Sequence, residues 1–244
     1  MTDQHALSTA ERVVAAAYEG WREEIGRPGG RLRVLAVREE QIRLQFCELS
    51  QSITTFWTMQ RGASLAATAA TLDASLRSLE FVTEGRMLIP EVAVQANPLE
   101  VTMAPGEVRY ARCPGHVMIL NRQAFTLSGP LTAAGDPTVW ICNDPRLVEQ
   151  AVKAHEQLWA AARPAQKPGL TVRQGELLLR MVLGESDREI VKAMGISQRT
   201  LEREVARAQH LFGASGRVDL FARLAGVTRN PVSAATPPNP PSPR

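Results

Sequence analysis

"GESDREIVKAMGISQRTLEREVARAQ", residues 184–209, is the stretch from which the rest of the chain can be organised. Its first half reads as a helix opened by a capping box, Ser186 followed three residues later by Glu189, with Ile190, Val191 and Met194 as the apolar face. Gly195 then marks a sharp turn, because glycine enters the left-handed backbone region at little cost. Ile196 can plug the junction, and Ser197 is a good N-cap for a helix beginning at Gln198. On that second helix Leu201, Val205 and Ala208 repeat at three- and four-residue spacing and form a buried stripe. Gln198, Arg199, Glu202, Arg203 and Arg207 are left facing outward. Such side chains suit base edges and phosphates: Gln matches adenine, Arg matches guanine, and Glu can accept from the cytosine amino group.

Working outward, the pattern is helical from Leu170 to Val227. Residues 228–244 hold six prolines (231, 237, 238, 240, 241 and 243) and almost nothing apolar, the composition of a disordered tail. On the other side, ARPAQKPG at 162–169 has two prolines and a glycine, and 163–169 reads as a linker. Before it, helix and short strand alternate, which implies an α/β layer domain. Residues 8–25 look helical, with Ser8 and Glu11 as a capping box and Val13, Val14, Tyr18, Trp21 and Ile25 on one stripe. Helices are also expected over 37–49, 66–84 and 145–161, and strands over 52–59, 86–89, 107–111, 116–120, 124–127 and 138–142.

Bulk properties exclude little. The 244 residues carry a formal net charge of +3, with 44% apolar and 22% charged side chains, as in ordinary globular proteins. The helical module itself is almost balanced, nine basic residues to seven acidic, so charge alone does not argue for a nucleic-acid partner. Cys47, Cys113 and Cys142 are odd in number and lack metal-ligand spacing, which fits reduced core thiols in a cytoplasmic protein. No signal pattern and no membrane-length apolar run is present, so no membrane partner is expected. Gly26, Gly29 and Gly30 follow a helix rather than join a strand to one, which argues against a phosphate cradle.

Several motifs of 170–227 stand in one register: Leu170-Thr171-x-Arg173, Gly184-x-Ser186-x-x-Glu189-Ile190, Gly195-Ile196-Ser197-x-x-Thr200-Leu201, and Leu211-Phe212-Gly213 with Arg217. Together they resemble the LuxR/GerE-type helix-turn-helix domain. The resemblance implies a four-helix, all-α DNA reader whose second helix, here 198–211, enters the major groove. It implies DNA contacts from Thr171, Arg188, Ser197, Gln198, Arg199, Thr200, Glu202, Arg203 and Arg207. Two departures stand out: Gln174 replaces the usual glutamate, and Glu202 and Glu204 replace a lysine and a histidine. A carboxylate at 202 would repel phosphates unless it reads a base.

Gly106-Glu107-Val108-Arg109, the run from His116 through Asn121-Arg122, and Leu147 through Leu158-Trp159 resemble a degenerate phospholipase D-like, TrmB-like domain over residues 35–162. Such domains precede LuxR-type readers in actinobacterial regulators. Active members use a His-x-Lys-x-x-x-x-Asp set, in which histidine attacks phosphorus and lysine stabilises the phosphoryl charge. With His116 as the histidine, the lysine position is Met118 and the aspartate position Gln123; with Asn121 as the aspartate, His116 takes the lysine position and Pro114 the histidine's. Neither register holds the set, so no catalytic residue is expected. The lost site leaves Arg109, His116 and Arg122 as candidate contacts for a small-molecule effector; His155 reads as a helix-face residue, and Trp57, Trp140 and Trp159 as core or interface aromatics.

The expectation is therefore an N-terminal helical segment (1–34), a mixed-sheet α/β effector or dimerisation domain (35–162), a linker (163–169), a DNA-binding module (170–227) and a tail (228–244). The function expected is a homodimeric bacterial transcription regulator of double-stranded DNA, responsive to an effector or partner regulator, with no metal and no cofactor. A sigma-factor-like promoter reader and a scaffold that binds protein through its C-terminal helices are the competing readings.

Overall fold

The computed structural model describes residues 2–62, 65–166 and 169–224. Among these the chain runs α1 (Thr2–Glu23), β1 (Leu32–Val37), α2 (Glu39–Leu49), β2 (Thr55–Met59), α3 (Leu65–Ala70), α4 (Leu72–Phe81), β3 (Glu84–Ile89), α5 (Glu91–Ala96), α6 (Pro98–Thr102), β4 (Glu107–Tyr110), β5 (Val117–Leu120), β6 (Ala124–Ser128), β7 (Thr138–Cys142), α7 (Pro145–Ala161) and β8 (Arg163–Pro164). Then follow α8 (Val172–Val182), α9 (Asp187–Met194), α10 (Gln198–Phe212) and α11 (Arg217–Leu224). The expected tail, and residues 167–168 and 225–227 of the expected linker and module, lie outside the described residues.

The eight strands form one mixed sheet in the order β1-β7-β6-β5-β2-β3-β4-β8. Strands β2, β3 and β4 are parallel, and the remaining pairs are antiparallel. Because side chains alternate along a strand, the central strands β2, β3 and β5 each feed two separate cores. Trp57, Met59, Leu88, Val117, Ile119, Phe125 and Leu127 point to one face and pack with α1 and α7. Phe56, Met87, Ile89, Val108, Met118 and Leu120 point to the other and meet the shorter α2, α5 and α6.

Several local expectations change. Helix α1 starts at Thr2, so Ser8 is interior rather than an N-cap, and the Glu11 carboxylate instead accepts the Arg112 backbone N–H at 2.8 Å. The buried stripe of α1 is Ala10, Val14, Tyr18 and Trp21; Val13 stands 46% exposed. The start of the expected 37–49 helix is moved, since Val37 ends β1, whose partner β7 lies about a hundred residues away. The expected 66–84 helix breaks at Thr71, where the hydroxyl donates to the Thr68 carbonyl and competes with the helix ladder.

Arg163–Pro164, inside the expected linker, adds a short strand to the edge of β4. The four C-terminal helices share a core with the body: Ala69, Leu72, Leu99 and Met103 pack with Leu177, Ile190, Leu201, Phe212 and Leu220. Gly175 of α8 makes this contact possible, because a Cβ there would lie 2.9 Å from the Met103 sulfur.

Candidate nucleic-acid interface

The turn between α9 and α10 forms as its residues dictate. Gly195 takes the left-handed conformation (φ 59°, ψ 39°) and ends α9, while the Ile196 N–H bonds back to the Val191 carbonyl at 3.1 Å. Ser186 and Glu189 complete their capping box, the Glu189 carboxylate accepting from the Ser186 N–H at 2.7 Å. Ser197 caps α10, its hydroxyl accepting the Thr200 N–H at 3.1 Å. Leu201, Val205, Ala208 and Phe212 are buried.

The opposite face of α10 is open. Gln198, Arg199, Glu202, Arg203 and Arg207 are all exposed, as is Arg188 on α9. Arg199, Arg203 and Arg207 are spaced four apart and so lie along one slowly drifting stripe. Thr171 is exposed at the start of α8, and its side chain is committed to capping that helix, accepting the Gln174 N–H at 3.2 Å. The candidate residues therefore come from three helices, with α10 contributing the contiguous surface.

Gln174 and Glu204, two of the departures from the pattern that this module resembles, answer each other. Gln174 Oε1 closes the α8 capping box by accepting the Thr171 N–H at 2.9 Å, and its Nε2 donates to Glu204 at 3.0 Å. A glutamate at 174 would close the same box but present a second carboxylate to Glu204. Glu204 is tucked in, 13% exposed, and accepts from Arg207 at 3.0 Å and from Arg203 at 3.4 Å. Burial pushes its carboxyl up, but the Gln174 amide and the two guanidiniums outweigh burial and hold it below the usual carboxylate range. Glu204 thus steadies two arginines from behind rather than facing a partner. Glu202 stays exposed and accepts from Gln198 at 3.2 Å. Arg217 reaches from α11 to Asp187 with a two-pronged contact, 2.8 and 3.0 Å, which ties α11 to α9.

The three effector candidates are not brought together. Arg109 and Arg122 lie on the α7 face of the sheet, stacked on Trp159 (4.5 Å) and Trp57 (4.6 Å). Arg109 also pairs with Glu107, and Arg122 with Glu156. Between the two tryptophans sits His155, fully buried and stacked 4.9 Å from Trp57 and 5.7 Å from Trp159. Neither of its ring nitrogens has a hydrogen-bond partner of good geometry. Burial, assisted by the Arg86 charge, lowers its pKa to about 3, although the nearby Thr58 backbone opposes the shift. Its burial could not be read from α7 alone, because it depends on Trp57, which the sequence holds 98 positions away.

His116 points to the other face, into a space walled by α2, α4 and α6. Its Nε2 is screened from solvent and unpartnered, and burial lowers its pKa to about 4. Asn121 serves the scaffold: its Oδ1 accepts the Thr54 and Thr55 N–H groups at 2.9 and 3.1 Å, and its Nδ2 donates to the Ser52 carbonyl at 3.0 Å. Cys113 and Cys142 are buried and Cys47 is half-buried, all three free. Among the described residues no group of three His, Cys, Asp or Glu side chains is placed to hold a metal ion, and no helix is long and apolar enough to cross a membrane.

No family model matches the chain, and no curated protein matches its sequence. Solved structures are similar to it at a low level. The phospholipase D family member Nuc from Salmonella typhimurium is 17% identical with a TM-score of 0.40, over 55% of this chain and 97% of its own. NucT from Helicobacter pylori is 9% identical with a TM-score of 0.41, over 55% and 97%. TrmBL2, an archaeal chromatin protein described as showing a novel mode of DNA binding, is 13% identical with a TM-score of 0.39, over 57% and 54%. At this level of similarity, function has to rest on the chain's own residues.

Proposed function

We propose that this chain is a DNA-binding transcription regulator of the LuxR/GerE type, which lays α10 in the major groove and uses its α/β body for sensing or dimerisation rather than catalysis. The observation that carries the reading is the pairing of a capped, left-handed turn at Gly195 with a helix whose exposed face holds Gln198, Arg199, Arg203 and Arg207. Helices so presented meet base edges with their N-terminal residues and phosphates with their flanking cations. Glu204, drawn inward, leaves the arginine stripe free of a competing outward carboxylate at that position. The non-catalytic reading is supported by Met118, which stands at the lysine position when His116 is the histidine, and by Pro114, which stands at the histidine position when Asn121 is the aspartate. Two copies would present paired helices to half-sites about one helical turn apart.

The test is selection from a random duplex pool by the full chain, followed by binding of the enriched duplex by Arg203→Ala. A two-fold symmetric motif is expected, with affinity in the variant roughly tenfold lower, as for one lost base or phosphate contact. Affinity should also fall steeply with salt. Unchanged affinity in a variant that melts like the parent would sink the placement of α10.

A further inference from the structure

The two faces of the sheet are not equally filled. Against α1 and α7 the core is continuous, whereas under α4 and α6 lies a cavity of about 140 Å³. It opens past His116, Phe46 and Met118 into a groove of about 760 Å³. An apolar cavity of about 150 Å³ is large enough to hold benzene. The floor is Phe56, Met87, Met118 and Leu120, and the rim carries Ser75 and Ser78 of α4. One buried polar atom of this lining lacks a partner, His116 Nε2 at the mouth. An unpaired buried polar atom destabilises the fold, and a hydrogen-bonding ligand would relieve it. Among the described residues no arginine or lysine lines the enclosed part, and Glu100 does, its carboxylate accepting from Thr68 at 2.6 Å. That lining disfavours anions.

We infer that this cavity binds a neutral, mainly apolar small molecule of one or two rings, hydrogen-bonded to His116, and that its occupancy is felt by α10. The second half rests on the DNA-binding reading above; the first does not. The route is short. Met103 lines the cavity and is itself buried, and its sulfur abuts Gly175 of α8. The neighbouring Gln174 holds Glu204, which in turn holds Arg203 and Arg207. A ligand that displaces Met103 must move α8 or strain the shared core, since packed interiors do not absorb added volume.

The experiment uses the full chain and the neutral two-ring compound indole as probe, with binding read by calorimetry. Saturable binding of one probe per chain is expected, weakened at least tenfold in Ser75→Phe, which fills the space, and at least severalfold in His116→Leu, which keeps the bulk and removes the polar atom. No saturable binding, or equal binding by two variants that both melt cooperatively, overturns the site. Deuterium uptake over α6 and α8 is expected to change on probe binding; unchanged uptake overturns the transmission. If uptake changes and DNA retention shifts severalfold with probe, the regulatory link stands; if retention is unmoved, that link is wrong. A chain that binds probe and never DNA refutes the DNA reading while leaving the cavity established.

Discussion

The α/β body and the helical module rely to different degrees on local and distant polar bonds. In the module the polar bonds that set the helices are local: Thr171 with Gln174, Ser186 with Glu189 and Ser197 with Thr200 are each three residues apart. Among the described residues the body has one such local cap, Asp144 on α7, and is otherwise joined by distant polar bonds: Asn121 staples Thr54 and Thr55 from 67 and 66 positions away, Glu11 receives Arg112 from 101, and Arg31 meets Asp144 across 113. The body also leaves buried atoms unpaired, at Trp57, Thr58, His116 and His155. Local capping leaves one face of each helix free for a partner. Long-range assembly instead leaves mismatches where two layers meet, and the cavity is one of them.

The largest effect should come from the body. Trp57→Ala removes a fully buried indole that contacts His155 and two arginines, and about 3–5 kcal/mol should be lost in denaturant unfolding. A loss under about 1.5 kcal/mol would mean that the body is not held by this long-range stack. Next is Gly195→Val, where a β-branched residue in the left-handed region should cost about 1–2 kcal/mol and abolish DNA retention. Retained DNA binding would show that the local turn does not set the interface.

Gln174→Glu should cost about 1 kcal/mol at neutral pH, because the amide donor facing Glu204 is lost and a carboxylate replaces it. Glu204 has a lowered pKa, so in the parent its pairing stabilises at neutral pH and is lost as pH falls through the carboxylate range. Thermal melts of parent and variant should therefore converge on acidification; curves that stay parallel would contradict the pairing. The smallest change at neutral pH belongs to His155→Phe, within about 1 kcal/mol, since the ring stack is kept and two unpaired nitrogens go. Its signature is in acid. An unfolded histidine takes a proton near 6.5 while His155 resists until about 3, so the unfolded state binds more protons and stability falls as pH drops through that window. The variant should lose up to about 1.4 kcal/mol less per pH unit there. An unaltered acid slope would place the titrating group elsewhere.

Legibility followed the same division. The Ser186–Glu189 capping box of the module, the left-handed glycine and the buried stripe of α10 were present as spacings of three and four residues, and so was α7, whose bounds agree with the reading from Pro145 to Ala161; the Thr171–Gln174 box was not read. Strand β1 was missed because LRVLAV becomes a strand only through β7. The expected 66–84 helix was drawn too long because hydrophobic spacing does not register Thr71 leaving the helix. Arg109, His116 and Arg122 looked like one site in the chain, but the parity of their strands and turns puts His116 on the opposite face from the two arginines. Gln174 and Glu204 were each visible as departures, and their pairing was not, since thirty residues separate them.

By itself the sequence determined what a residue can decide with its near neighbours: helix starts and stops, the turn at Gly195, and the exposed arginine stripe of α10. Capping bonds and helical periodicity act over three to four residues, within reach of any short window. Only the tertiary structure decided which face of the sheet each side chain joined, that His155 would be sealed between two tryptophans, and that a cavity would open beneath α4 and α6 against a wall shared with α8. Those outcomes depend on strand order and layer packing, where side chains far apart in the chain compete for the same volume.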